Sequence, residues 1–163
     1  MEKLYFGASN SIVTKKFPLA ICDCSNLKSL SISGQCFYEL PPQIGNLKKL
    51  ESLALSYCKI KKFPPQLLFL PNLKKLELCF LDNINDLLAQ LPDFENLNEL
   101  SIICDNCDFL KKEKNIQYLV NLKILSITDF SDIFAGNVQQ TSPLQQIVAF
   151  LRWKLPNTKI IAL

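Results

Sequence analysis

Leucine and other hydrophobic residues return along most of the chain at intervals of 23 to 26 positions, with polar residues between them. Two stretches show this most clearly, LPPQIGNLKKLESLAL at residues 40–55 and FPPQLLFLPNLKKLEL at residues 63–78. Every leucine and isoleucine of the first stretch has a hydrophobic counterpart 23 positions later. A fixed period of this length indicates repeated units that bury their hydrophobic edges against one another.

Each repeat contains a short core in which one large hydrophobic residue is followed by another two positions later. Seven such cores occur: Leu4-Tyr-Phe6, Leu30-Ser-Ile32, Leu53-Ala-Leu55, Leu76-Glu-Leu78, Leu100-Ser-Ile102, Leu125-Ser-Ile127 and Ile161-Ala-Leu163. We call the first residue of each the core leucine. Side chains two positions apart in a strand share a face, so each core predicts a short strand with both hydrophobic residues turned inward. The return segments are too short for long helices, and Pro41-Pro42 and Pro64-Pro65 predict short helical turns there.

The C-terminal end differs because its last interval widens to 36 residues, which leaves room for one longer helix. Ser142-Pro143 suits the cap and first position of that helix. Its inward face is expected at Leu144, Ile147, Val148 and Leu151, which follow helical spacing. We therefore expect a single domain over residues 1–163, closed by a capping helix and strand at about 142–163.

The whole pattern resembles leucine-rich repeat proteins, and the Leu-Pro-x-x-Ile element at Leu40–Ile44 is similar to that of cytosolic immune-type receptors and small stand-alone bacterial members. The resemblance implies an α/β solenoid with about seven short parallel strands on its concave face and short helices or 3₁₀ turns on its convex side. It also implies a non-catalytic module that binds another protein through the concave face. The family usually places Asn or Cys five residues after the core leucine, and Cys58 alone fits among the full repeats. We therefore expect no asparagine ladder and irregular turns after strands 4 to 6.

Composition narrows the class of protein. A hydrophobic share of 48% argues against disorder. No hydrophobic run reaches the roughly 18 residues of a membrane span, and the N-terminus lacks the features of a signal peptide. The net charge of +3 is too small to predict nucleic-acid binding. Seven cysteines, an odd number, without secretory context favour reduced thiols and a cytoplasmic location.

Two cysteine pairs, Cys22-x-Cys24 and Cys104-x-x-Cys107, resemble halves of a zinc site, which needs four ligands. Their strands are three spacings apart, roughly 14 Å along the solenoid, so the halves should not combine. We predict no metal and no cofactor, although a cysteine metal-binding accessory domain stays an alternative. The chain has no histidine, and its four glycines form no phosphate-binding loop, so we also predict that it is not an enzyme.

Lysine pairs recur at nearly equivalent places after their strands: Lys15-Lys16, Lys61-Lys62 and Lys111-Lys112. They could form a basic stripe along one edge of the solenoid. Tyr38-Glu39 and Asn85-Asp86 interrupt the series, which favours an ordinary solvated edge.

The outward positions of strands 3 to 5 are the predicted binding surface, because hydrophobic bulk stands there beside charged and small polar residues. Its residues are Tyr57, Lys75, Glu77, Cys79, Phe80, Glu99, Ser101 and Ile103. Tyr57 and Phe80 share a column and could form one aromatic step; alternatively, they fold down to cover the edge of the solenoid. Ligand sensing within a larger immune-type receptor or effector is the alternative function. Weak self-association is also expected, since Leu4 and Phe6 at one end and Ile161 and Leu163 at the other leave strand edges open.

Overall fold

The computed structural model describes residues 2–7, 17–34, 38–130 and 143–163, and these form a single sheet of seven parallel strands. The strands lie in the sheet in the same order as in the chain. They are β1 (Lys3–Gly7), β2 (Ser29–Ser33), β3 (Ser52–Ser56), β4 (Lys75–Cys79), β5 (Glu99–Cys104), β6 (Ile124–Asp129) and β7 (Lys159–Ala162). This is the predicted leucine-rich repeat architecture, with one strand contributed by each repeat.

The core leucines of repeats 2 to 6 stand next to one another across the sheet and are essentially inaccessible to solvent. Leu30 pairs with Leu53, Leu53 with Leu76, Leu76 with Leu100, and Leu100 with Leu125. The second hydrophobic residue of each core forms a parallel buried column: Ile32, Leu55, Leu78, Ile102 and Ile127. The predicted two-residue alternation is therefore confirmed over these five strands. Because no repeat can bury this edge alone, the stacking of neighbours creates the core.

The return segments carry short helices, as predicted for the convex side. The α-helices among them are α1 (Pro65–Leu68), α2 (Ile84–Leu88) and α3 (Glu113–Ile116). The 3₁₀ helices are η1 (Leu19–Asp23), η2 (Pro42–Asn46), η3 (Leu91–Asp93), η4 (Asp108–Lys111) and η5 (Gln117–Leu119). Pro42 and Pro65 begin their helices, where a missing backbone N–H has no consequence.

Consecutive return segments pack closely enough to need a glycine at one point. A Cβ atom on Gly45 would lie only 2.7 Å from Cβ of Gln66 in the next repeat. Side-chain amides also join repeats: Asn72 donates to the carbonyl of Lys48 at 2.8 Å, and Asn96 donates to that of Leu70 at 3.3 Å. These bonds tie each return segment to the backbone of the preceding repeat.

The predicted C-terminal helix is present as α4 (Pro143–Lys154), while its predicted cap, Ser142, lies outside the described residues. Ile147, Val148 and Leu151 are buried and Leu144 packs against the core, as the helical spacing predicted. None of the helices in the described segments is both long and apolar enough to cross a membrane.

The register predicted for the last strand is wrong by one residue. Leu125 pairs with Ile160, not Ile161, and Leu163 is exposed. The last repeat has one residue fewer between its return turn and its strand, and Thr158 takes the buried place of the usual leucine. The Thr158 hydroxyl donates to the carbonyl of Leu122 at 2.8 Å, which satisfies both groups. Ile160 therefore packs against the core at the end of the sheet.

Candidate interaction surface

Two aromatic residues occupy an unfavourable backbone conformation directly after strands β3 and β4. Tyr57 has φ +54° and Phe80 has φ +50°, in the left-handed region that bulky side chains rarely adopt. Each is the fourth residue after its core leucine, and Gly34 with φ +119° stands at the same place in repeat 2. The N–H of Tyr57 donates to the carbonyl of Cys79 at 2.9 Å, and the N–H of Phe80 donates to that of Ile103 at 2.7 Å. The turn therefore stays tied to the next strand while the side chain leaves the interior.

The two rings stack on each other, which confirms the predicted aromatic step. Their centroids are 4.9 Å apart and their planes differ by 10°. Phe80 also meets Phe130, with centroids 5.6 Å apart, so three repeats contribute to one row of rings. Tyr57 is 51% exposed and Phe80 is half-buried. We call Tyr57 and Phe80 the aromatic step.

A cleft of about 460 Å³ opens beside the aromatic step, at the edge of the sheet where strands β3 to β5 end. Its walls combine the two rings and Phe109 with polar side chains from three successive turns. The polar and charged lining residues are Lys59, Asp82, Asn85, Asp105 and Asn106. The cleft adds residues from these turns to the predicted surface, which included only Tyr57 and Phe80 beyond the strands.

Most of the predicted concave residues lie where the sequence indicated. Lys75, Glu77 and Glu99 are half-buried on β4 and β5, and Lys75 forms an ion pair with Glu77 at 3.8 Å. Ser101 and Ile103 are half-buried beside them, on the face that also carries Glu77. They form a polar border with one hydrophobic side chain next to the aromatic step.

The prediction that Cys79 contributes to the exposed surface is wrong, because its side chain is only 6% exposed. Its thiol lies 3.7 Å from Oε1 of Glu77. Burial raises the pKa of the Cys79 thiol, and the same cause raises that of Cys22. Both groups stay protonated and behave as small core residues.

Cys104 and Cys107 depart from the expectation that all thiols are reduced, since the structure joins them in a disulfide. Strands β5 and β6 are one residue longer than β2 to β4, and their added residues, Cys104 and Asp129, pair with each other. The buried carboxylate of Asp129 accepts a hydrogen bond from the N–H of Cys107 at 2.8 Å. Sulfur and oxygen atoms of the three residues lie within 4.8 Å of one another.

Comparison with known protein families identifies the family of this chain. A model described as a leucine-rich repeat region matches residues 15–156, most of the sequence. The chain belongs to the leucine-rich repeat family. No curated protein matches it. Leucine-rich repeat domains generally bind other proteins and are typically without catalytic activity of their own.

The leucine-rich repeat turn that the family builds with Asn or Cys occurs at Cys58. Its thiol lies 3.6 Å from the carbonyl of Ile32 and 3.3 Å from that of Ser56, so it joins the backbones of two repeats. After strand β5 the turn has a different form, as expected from the residues there. The turn after β4 begins, like the turn after β3, with a residue in the left-handed region. The turn after β6, also expected to be irregular, continues beyond residue 130 and lies outside the described residues. In this leucine-rich repeat protein the carboxylate of Asp129, in repeat 6, instead accepts a hydrogen bond from the N–H of Cys107, in the turn after strand β5.

The lysine pairs add exposed charge to the turns but are not all described. Lys61, Lys62, Lys111 and Lys112 are exposed, and Lys15-Lys16 lie outside the described residues. Lys111 forms an ion pair with Asp108 at 2.7 Å, which lowers the pKa of that carboxyl group. The pairs stay interpreted as a solvated edge.

Sequence reasoning missed Asp129 and the polar residues of the cleft. A signal for Asp129 was available, because it and Cys104 each stand four residues after a core leucine on consecutive repeats. The cleft offered no such signal, since Asp82, Asn85 and Asn106 lie in turns whose conformations differ from repeat to repeat.

Proposed function

We propose that this leucine-rich repeat protein binds another protein through the aromatic step, the adjoining cleft and the concave face of strands β3 to β5. The observation that carries the proposal is a pair of stacked rings, one exposed and one half-buried, held in left-handed backbone conformations on consecutive repeats. Exposed aromatic residues beside charged and polar groups are typical of the centre of a protein interface.

Stability alone does not account for these two residues. A non-glycine residue in the left-handed region costs about 1 to 3 kcal/mol. A stacked aromatic pair returns roughly 0.5 to 1.5 kcal/mol beyond its buried area, and Tyr57 leaves half of its surface exposed. Repeat 2 makes the corresponding turn with Gly34, which removes the steric conflict. Binding is a role that would offset the backbone cost of placing rings there.

The surroundings suit a partner that inserts one side chain and covers the rest. The cleft supplies a concave wall next to the rings, and Lys75, Glu77 and Glu99 supply a charged border. The parallel sheet below holds the rings on consecutive strands, so little backbone entropy should be lost on binding. This arrangement places the hydrophobic contact at the centre and the charges around it.

The experiment is a comparison of variants in binding to a partner captured with the wild-type protein and then purified. Phe80→Ala removes the central ring, which contacts both Tyr57 and Phe130, and should weaken binding by about 2 kcal/mol or more. Isothermal calorimetry measures the change. The matched control is Lys61→Ala on the lysine edge, with an expected effect within about 0.5 kcal/mol.

One outcome would reverse the assignment. If binding survives the double change Tyr57→Ala and Phe80→Ala but fails when Lys61 and Lys62 are replaced, the lysine edge is the binding surface. Partners with negative charge would then take the place of the partner proposed here.

Weak self-association through the outer strands is part of the same proposal. Strands β1 and β7 are the two edges of the sheet, and Tyr5 and Leu163 are exposed there. An open edge presents backbone groups that can pair with a second molecule. Light scattering should show a mass that rises with concentration, and a constant monomer mass would contradict this part of the proposal.

A further inference from the structure

Three reactive groups from two repeats meet at the end of strand β5. Cys104 is half-buried and lines the cleft, whereas Cys107 and Asp129 are buried. The two sulfurs form a disulfide, and a carboxylate oxygen of Asp129 lies within 4.8 Å of both. The pair therefore has one sulfur that solvent can reach and one that is enclosed beside a carboxylate.

We propose that Cys104 and Cys107 are a site of reversible covalent modification, at which a small thiol reduces the disulfide and a small disulfide restores it. This inference does not depend on the proposed binding function. No other cysteine among the described residues is disulfide-bonded. The thiols of Cys22 and Cys79 are buried with raised pKa values, which makes them poor nucleophiles.

Small thiols should attack Cys104 and not Cys107, because only the sulfur of Cys104 is accessible to solvent. In reduction, the thiolate of a small thiol attacks Sγ of Cys104; the Cys104–Cys107 bond breaks and Cys107 leaves as a thiolate that takes up a proton. A second small thiol then cleaves the mixed disulfide on Cys104. The protein gains two electrons and two protons, and the two small thiols become one small disulfide. Oxidation runs the same steps in reverse.

Asp129 gives the pair a framework that does not depend on the sulfur–sulfur bond. Its carboxylate holds the N–H of Cys107 at 2.8 Å, so the turn stays anchored when the disulfide opens. A disulfide between residues three apart closes a very short loop and so adds little restriction to the unfolded chain. Reduction should therefore be local and should leave the fold intact.

The state of the pair should be felt in the cleft. Asp105 and Asn106 are the residues between the two cysteines, and both line the cleft beside Phe80. Opening the disulfide removes the covalent tie between the two ends of this loop, while the Asp129 hydrogen bond still holds Cys107 and strands β3 and β4 keep the aromatic step in place. The modification would thus change one wall of the cleft.

The test equilibrates the folded protein with mixtures of reduced and oxidised glutathione, traps thiols by alkylation and measures the mass of the peptide that contains both cysteines. We expect one transition between a peptide without alkyl groups and a peptide with two, without accumulation of a singly alkylated form. Amide hydrogen exchange at Asp105 and Asn106 should become roughly tenfold faster on reduction, while exchange in strand β3 stays unchanged. The control Cys24→Ser, which removes a distant half-buried thiol, should leave the transition where it is.

Three results would overturn the proposal. A disulfide that withstands excess reduced glutathione until the protein is denatured would be a permanent cross-link. Two thiols that alkylate independently would not be a pair. Reduced protein that retains one zinc ion per molecule, with both thiols protected from alkylation, would assign Cys104, Cys107 and Asp129 to a metal instead.

Discussion

Repeats 3 and 4 end their strands in one way, and repeats 5 and 6 end theirs in another. Four residues after the core leucine, Tyr57 and Phe80 turn into the left-handed region and project their rings outward. At the same position, Cys104 and Asp129 continue the strand by one residue and pair across the sheet. The two regions share the same inward columns of hydrophobic residues and differ at the ends of the strands and in the return segments that follow.

This difference shows that one position can decide what a repeat offers to its surroundings. An outward ring creates an exposed surface at a cost in backbone energy. An inward cysteine or aspartate adds a ladder pair and places a reactive or charged group beside the turn that follows strand β5. The solenoid tolerates both because its stability comes from the stacked columns and not from the turns.

The largest expected effect tests whether the two regions have a common core. Leu55→Asp in repeat 3 and Ile127→Asp in repeat 6 each place a charge without a partner in a buried column. The cost should approach the whole stability of a domain, about 5 to 15 kcal/mol, so both variants should fail to fold. Circular dichroism and thermal melting check this. Ser31→Asp, on the outward side of β2, is the control and should melt cooperatively.

A folded, cooperatively melting protein with Asp at position 55 would show that the columns are not what holds repeat 3 together. If position 127 alone tolerated the change, repeats 5 and 6 would have a core of their own. Either result would replace the comparison of turns with a difference in packing.

The fold was accessible from the sequence because the columns depend on spacing alone. Hydrophobic residues at a constant interval leave one way to stack, and the alternation at each core fixes which side faces inward. The error at the last strand came from the same reasoning. The segment Leu155-Pro-Asn matches Leu70-Pro-Asn in spelling, but Thr158 substitutes a hydroxyl for the buried leucine, and the strand begins one residue sooner.

The site was predicted less completely because it depends on backbone torsion and on contacts between turns. Adjacency of Tyr57 and Phe80 followed from their common column, but the positive φ that turns them outward did not. Cys79 was predicted to be exposed because it follows the inward-facing Leu78 in the alternation of strand β4, yet it is buried. Asp129 and Cys107 are 22 residues apart, and a hydrogen bond between them depends on the extra strand residue in repeats 5 and 6.

The second prediction removes the buried carboxylate of Asp129, which belongs to the strand ends of repeats 5 and 6 and not to those of repeats 3 and 4. Asp129→Ala leaves the N–H of Cys107 buried without its acceptor, which should destabilise the protein by about 1 to 3 kcal/mol. Urea denaturation of the wild-type and variant proteins measures the difference. Asp105→Ala, a change of an exposed carboxylate in the same loop, should stay within about 0.5 kcal/mol. Equal values for the two variants would mean that the Asp129 bond does not stabilise this turn.

The smallest effect is the most direct test. It compares glycine with alanine four residues after the core leucine, and the stability difference between the two should have opposite signs in the two regions. At position 57, Tyr57→Gly and Tyr57→Ala both lose the stacked ring, but only glycine relieves the left-handed conformation. The glycine variant should therefore be the more stable of the two, by about 1 kcal/mol. At position 129 the backbone is extended within β6, so Asp129→Gly should be less stable than Asp129→Ala, by roughly 0.5 to 1 kcal/mol. Urea denaturation measures the free energy of unfolding of the four variants. Because glycine and alanine at one position both lack the original side chain, the difference between them reports the backbone contribution. Alanine more stable than glycine at both positions would show that Tyr57 carries no backbone strain, and the argument that its ring is held outward for binding would lose its energetic basis.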